Sequence, residues 1–337
     1  MKRAKATQPA ALSTPAALNP ARLVEADLTA AEAKLSRLLD SNESTIAEIC
    51  HYLVDAGGKR LRPTFILLVY RACGGTEAKV VDAIDAAIAL ELIHSATLLH
   101  DDIIDRGLLR RGKPSAFARY GFGPSLIAGD YLFCRAFELC GRFEERLVRT
   151  AAQACIQLTE GEVMEGRMRH NAAASLEDYI AVITRKTASL FSAGGRVAAD
   201  LAGSRARTIE AMEQLERALG LAFQMVDDLL DVIGPEEKIG KPVGSDLRAG
   251  IISLPVVLGV QANSELRRLF GNGIRLGGAE LERALRLMRA PSLIARGRTM
   301  AAEQVAVARE ILERQLRPSV YRDCLAALID DQIDRDV

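Results

Sequence analysis

An all-helical fold is what this sequence predicts, on three observations. From Ala21 onward apolar residues recur every three or four positions, as in Leu23, Leu28, Leu35 and Leu39, the spacing of one helical face. Aromatic residues make up only 4% of the chain and Trp is absent, so aliphatic side chains must fill the core, which favours packed helices over a β-sandwich. Alternating β-branched runs are few, and glycine and proline clusters separate the periodic stretches. These joints are Gly57-Gly58 with Pro63, Gly74-Gly75, Gly107 to Pro114, Gly121 to Pro124, Gly234-Pro235, Gly240 to Gly250 and Gly271 to Gly278. Between them the spacing predicts long helices over 78–104, 124–143, 144–170, 176–202 and 208–233. At 1.5 Å per residue these run roughly 30–40 Å, enough to enclose a deep central cavity.

A chain of 337 residues permits one large domain or two small ones at about 150 residues per domain. No composition shift marks a boundary, so a single helical domain over 21–337 is expected. Residues 1–20 are rich in Ala, Pro, Thr and Lys. They lack the continuous apolar core of a secretory signal and the Arg content of a transit peptide, and are expected to be a disordered tail. Lys plus Arg equals Asp plus Glu at 44 each, so no global field points to nucleic acid or an anionic membrane, and any anion site must be local. The apolar stretch 249–262 is interrupted by Ser253 and Pro255 and falls below the ~18 residues of a spanning helix. Cys50, Cys73, Cys134, Cys140, Cys155 and Cys324 show no zinc-type spacing and sit mostly in apolar helical patterns. They read as reduced core thiols, and the expected compartment is the cytoplasm.

Two acidic clusters carry the chemistry. Asp101, Asp102 and Asp105 lie within His100-Asp-Asp-Ile-Ile-Asp-Arg106, and Asp227, Asp228 and Asp231 within Phe223-Gln-Met-Val-Asp-Asp-Leu-Leu-Asp. Three- and four-residue spacing gathers each set on one helical face. Both sets close strongly apolar helices, where uncompensated charge is costly. Hard divalent cations relieve that repulsion, and Mg²⁺ characteristically takes one or two carboxylates, several waters and substrate phosphates. One such cluster is commonly a solvated helix face; two, each followed by a basic loop, point to a metal-assisted site. The basic groups are Gly57-Gly-Lys-Arg-Leu-Arg-Pro63, Arg110-Arg-Gly-Lys113 and Gly240-Lys-Pro-Val-Gly244. Arg forks and Lys point charges suit diphosphate oxygens. His94, Asp101 and Asp105 also fall on one stripe, seven and four residues apart.

The order of these motifs resembles the trans-isoprenyl diphosphate synthases, from about residue 45 to the C-terminus. The resemblance is carried by Gly57–Pro63, Glu91-Leu-Ile-His94, the first aspartate cluster with Arg110-Arg111, Gly129-Asp-Tyr-Leu132, Gly161-Glu162, Lys186-Thr187, and Phe223-Gln224 with the second cluster. It implies an isoprenoid-synthase-type helical bundle around a central cavity, a homodimer, and Mg²⁺ as cofactor. It further implies that Lys59, Arg62, His94 and Arg111 grip the diphosphate of isopentenyl diphosphate without metal. Arg110, Lys186 and Lys241 would contact an allylic diphosphate, whose oxygens complete the metal coordination of Asp101, Asp105 and Asp227. Asp102, Asp228 and Asp231 would be ligands or partners of ligands, and Thr187 and Gln224 would flank the reacting centre. Glu160, Glu162 and Glu165 read as a solvated or structural acidic face rather than ligands. One departure is Ile251, where many relatives carry Lys after the glycine of Gly250-Ile-Ile-Ser-Leu-Pro255.

In that family bulky aromatics just before the first aspartate cluster shorten the product. Here the positions hold Ala96 and Thr97, and Cys140 and Ala152 farther along are also small. Each added isoprene unit is about 5 Å, close to one ~5.4 Å helical turn, so the expected product is long, roughly seven to ten units. A shorter-chain farnesyl or geranylgeranyl synthase is the near alternative. A class I terpene cyclase would share the aspartate clusters but has no need of Lys59, Arg62, His94 and Arg111. A noncatalytic subunit of a heteromeric synthase finds its support in Ile251.

Overall fold

The computed structural model describes residues 20–58, 60–234, 243–271 and 276–332. The predicted 1–20 tail, Lys59 and Lys241 lie outside the described residues, apart from Pro20 in a first short turn. The described residues are mostly helical, with one two-residue hairpin among them pairing Leu109–Arg110 with Lys113–Pro114. The principal helices are α1 (Glu25–Leu38), α2 (Ser44–Val54), α3 (Leu61–Ala72), α4 (Val80–Ile104), α5 (Phe122–Cys140), α6 (Glu145–Met168), α7 (Leu176–Ile183), α8 (Ser189–Leu201), α9 (Ala206–Ile233), α10 (Leu254–Ala262), α11 (Gly278–Met288), α12 (Pro291–Gln315) and α13 (Val320–Asp330).

Helix α4 is buried almost all round from Ala83 to Leu99, as a helix apolar on nearly every face requires. The charges inside it are paired. Asp85 takes Lys34 and Arg142, and Glu91 takes Arg60 at 3.4 Å. One core cluster joins α4 to α2, α3, α5, α8 and the first half of α9, through residues such as Phe65, Leu92, Ala96 and Leu219. A second joins the latter half of α9 to α7, α10, α11 and α12 through Met225, Leu229, Leu258 and Met288. Helix α9 therefore enters both. Among the described residues no helix is long and apolar enough to cross a membrane.

The starts and stops are chemical. Ser175 and Asp178 form a reciprocal capping box at α7, satisfying two orphan backbone donors. Pro291 opens α12, where its missing N–H costs nothing. The predicted 176–202 helix is interrupted by a π-helical turn, Thr184–Ala188. That turn meets α6 at Gly161, where an added Cβ would lie 2.5 Å from the Lys186 backbone nitrogen. Of the cysteines, Cys50, Cys140 and Cys324 are buried and Cys73 and Cys155 half-buried, but Cys134 is exposed, against the expectation of core thiols.

Candidate active site

The first acidic cluster ends α4, and its three carboxylates face different partners. Asp102 is buried and forked by Arg110, whose Nε and Nη2 donate to it at 2.8–3.0 Å. Asp101 and Asp105 are only half-buried. Burial pushes the Asp101 carboxyl up to about 7, against the pull of Lys186 and with help from Glu162. Asp105 is ion-paired with Arg169.

The hairpin after α4 turns at Arg111 and Gly112, both in left-handed backbone at φ 53° and 74°. This lays the Arg111 guanidinium over the Gly57-Gly58 turn, 3.2 Å from where a Cβ on Gly58 would sit. Arg62, on the first turn of α3, stacks its guanidinium on Phe191 at 4.6 Å and faces Phe223 at 5.9 Å. His94 lies among these cations. Desolvation, then the charges of Arg62, Arg110, Arg111 and Arg60, hold its pKa well below the usual value. Crowded arginines around a neutral imidazole form a pocket that an anion would relieve. Arg60 is drawn aside to Glu91 and to the Val54 carbonyl at 3.2 Å.

The second cluster, on α9, is equally divided. Asp228 accepts hydrogen bonds from Tyr179 Oη and Gln224 Nε2, both at 2.8 Å, and from the Leu254 N–H at 2.9 Å. Burial raises its pKa to about 7. Gln224 Oε1 in turn accepts from Thr187 at 2.8 Å. Asp231 accepts from Ser245 Oγ at 2.6 Å and the Asp246 N–H at 3.2 Å, which ties the Ser245-Asp246 turn to α9. Asp227 lines a cavity of about 200 Å³. Asp105, Glu165, Lys186, Thr187, Gln224 and Ile251 share that cavity, so both clusters reach one space.

The glutamates divide between the two alternatives expected of them, solvated and structural. Glu160 is exposed, but Glu162 and Glu165 hold Lys186 at 2.7 and 2.6 Å with side chains only about 15% and 14% exposed. Burial draws the Lys186 pKa down, yet Glu165, Asp101 and Glu162 together hold it above the usual lysine range. The i, i+3 spacing beside Gly161, where α6 approaches another backbone, is the signal that could have found them. Arg169 was also missed. Ala96, Thr97 and Cys140 do not line this cavity. Ala96 is fully buried in the main core, Thr97 donates to the His94 carbonyl at 2.8 Å, and Cys140 is buried at the end of α5.

Among the described residues no three carboxylate, imidazole or thiol groups converge closely enough to hold a metal ion by themselves. Asp101, Asp105 and Asp227 instead offer single carboxylates. That donor set suits Mg²⁺, which takes one or two carboxylates and leaves the rest to water and phosphate oxygens.

The polyprenyl synthetase family model matches residues 43–288. The chain is 35% identical over 319 residues to nonaprenyl diphosphate synthase of Mycobacterium tuberculosis, covering 92% of this chain and 94% of that one. It is 34% identical over 307 residues to a short chain isoprenyl diphosphate synthase of Methanothermobacter thermautotrophicus, covering 88% and 92%. Its fold matches the Caulobacter crescentus polyprenyl synthase, crystallised with calcium and isoprenyl diphosphate, at a TM-score of 0.89 and 32% identity, covering 94% and 97%. With relatives aligned over nearly their whole length and a helical scaffold shared throughout, the chain belongs to the polyprenyl synthetase family.

Proposed function

We propose that this protein is a trans-prenyltransferase that condenses isopentenyl diphosphate head-to-tail onto an allylic diphosphate, making an all-trans polyprenyl diphosphate of roughly seven to ten units. One observation carries the reading. An arginine-and-histidine pocket at His94 adjoins, along the same helix, a carboxylate-lined cavity that also holds Lys186. Two anionic groups are accommodated by opposite means, one by direct cations and one through metal.

Asp101, Asp105 and Asp227 would hold Mg²⁺, whose chemistry when bound is to neutralise charge on a departing diphosphate. Lys186, steadied between Glu162 and Glu165, donates to the same diphosphate as its C–O bond ionises. The Thr187 and Gln224 oxygens face the allylic cation that results. Asp228 fixes the amide orientation by accepting from Gln224 Nε2. Arg62 and Arg111 grip isopentenyl diphosphate, and His94, kept neutral by burial and then by its arginine neighbours, contributes a hydrogen bond rather than charge. Lys59, Lys241 and Arg110 complete the two diphosphate sites. The alkene attacks C1, and the released diphosphate accepts the proton lost from the new cation.

The long product rests on small side chains at Ala96, Thr97 and Cys140, and on the nonaprenyl relative; the short-chain relative is nearly as similar. We also propose a cytoplasmic homodimer. The purified chain should incorporate radiolabelled isopentenyl diphosphate into products of that length when given an allylic primer and Mg²⁺. No incorporation would favour a noncatalytic subunit, and cyclic products made without isopentenyl diphosphate would favour a terpene cyclase.

A further inference from the structure

We propose that Arg169 is a binding residue of the allylic-diphosphate site: it neutralises Asp105 in the ligand-free protein and transfers to diphosphate oxygens when a divalent cation takes that carboxylate. The inference rests on the reading of the cavity given above and extends it to a residue outside both aspartate motifs.

Helix α6 stops at Arg169, whose backbone is extended at φ −51°, ψ 134°. The chain reverses there, and the guanidinium lies on Asp105, with Glu165 and Glu162 as further acidic neighbours. Both members of the pair are largely sheltered, at 20% and 28% side-chain exposure. The anchor is the next residue. His170 has left-handed backbone at φ 62°, and its N–H donates to the Gly250 carbonyl at 2.8 Å. Its ring packs on Gly250 so closely that a Cβ there would lie 2.1 Å from Cε1. Gly250 leads directly into Ile251, Ile252 and Ser253, which line the cavity with Asp105. Arg169 is thus strapped to the wall formed by Ile251, which brings no charge of its own.

A guanidinium cannot shed its proton at ordinary pH, so Arg169 and a divalent cation compete for Asp105. Once the cation has that carboxylate, the nearest acceptors suited to a planar fork are the oxygens of the diphosphate the cation also holds. The two states predict opposite effects of removing the side chain.

Arg169→Ala should bind Mn²⁺ alone about threefold to fivefold more tightly, read by electron paramagnetic resonance without diphosphate. The same variant with Mg²⁺ should bind an unreactive allylic thiolodiphosphate about tenfold more weakly by calorimetry, equivalent to about 1.4 kcal/mol. Arg169→Gln, of similar length but neutral, should move both affinities in the same two directions and serves if the alanine variant misfolds. Unchanged affinities, or both affinities falling together, would overturn the assignment. Wild-type protein that showed no metal-dependent binding of the thiolodiphosphate would instead sink the functional reading itself.

Discussion

Gly161→Ala is a one-methyl test of how the site is assembled. The added Cβ would lie 2.5 Å from the Lys186 nitrogen, 2.9 Å from its Cα and 3.0 Å from the Arg185 carbonyl carbon. All three are backbone atoms, so no side chain can swing aside. Ordinary contact begins near 3.4 Å, so α6 and the π-turn must separate by about 1 Å. That turn carries Lys186 and Thr187. A displacement of this size at a positioning group costs on the order of 100-fold in rate, whereas overpacking costs ~1–3 kcal/mol of stability. The expected result is a folded protein, a few degrees lower in Tm, whose kcat falls about 100-fold. Gly166→Ala on the same helix is the control, because a Cβ there meets nothing within 4 Å; it should keep its rate and gain ~0.5–1 kcal/mol. Steady-state incorporation of labelled isopentenyl diphosphate, with circular dichroism melts, decides the matter. A folded Gly161→Ala enzyme within about threefold of wild-type kcat would show that the close approach does not set the position of Lys186.

Asp101→Ala and Asp227→Ala should each lower kcat by several powers of ten, since each removes a proposed metal ligand; near wild-type turnover in either would refute that role. Glu216 is buried in α9 with its carboxyl pushed up to about 8, so the folded state keeps the proton while the unfolded state loses it above about 4.5. Stability then falls as pH rises from about 4.5 to 8, and Glu216→Gln should flatten that slope and gain ~1 kcal/mol or more at pH 8 in urea melts; a parallel pH dependence in both proteins would contradict this. Ala96→Phe should shorten the product to roughly three or four units by filling space one and a half turns before Asp101, at ~1–3 kcal/mol of stability. An unchanged product profile on chromatography would remove Ala96 from the path of the growing chain.

Periodicity located the helices because each buries one face or all faces. The predicted 78–104 segment corresponds to Val80–Ile104 after a single 3-10 turn, and 208–233 to Ala206–Ile233. It missed the break at Thr184–Ala188 because a π-turn inserts no glycine or proline and hardly disturbs the apolar spacing. The aspartates were legible since carboxylates ending apolar helices need an explanation from sequence alone. Glu162, Glu165 and Arg169 were not, because charged residues near the end of an amphipathic helix match a solvated face equally well. Their meaning depends on Lys186 and Asp105 arriving from other segments.

Arg110 shows how two sites of opposite sign can share one helix. It is bound to Asp102 at 2.8 Å, yet its charge also depresses the His94 pKa and opposes the rise of Asp101. His94 of the arginine pocket and Asp101 lie seven residues apart along α4, and the charge of Arg110 acts on both. Without Asp102, Arg110 would add a further unrelieved cation beside His94; without Arg110, Asp102 would be a buried, unpaired carboxylate next to Asp101. Breaking such a buried pair from one side costs more than the pair contributes net. The second residue of each aspartate motif therefore follows a different constraint from the carboxylates proposed to hold metal. Asp102 is taken up by Arg110, and Asp228 by Tyr179, Gln224 and the Leu254 N–H, whereas Asp105 and Asp227 line the cavity together with Lys186, where a cation and a diphosphate could meet them.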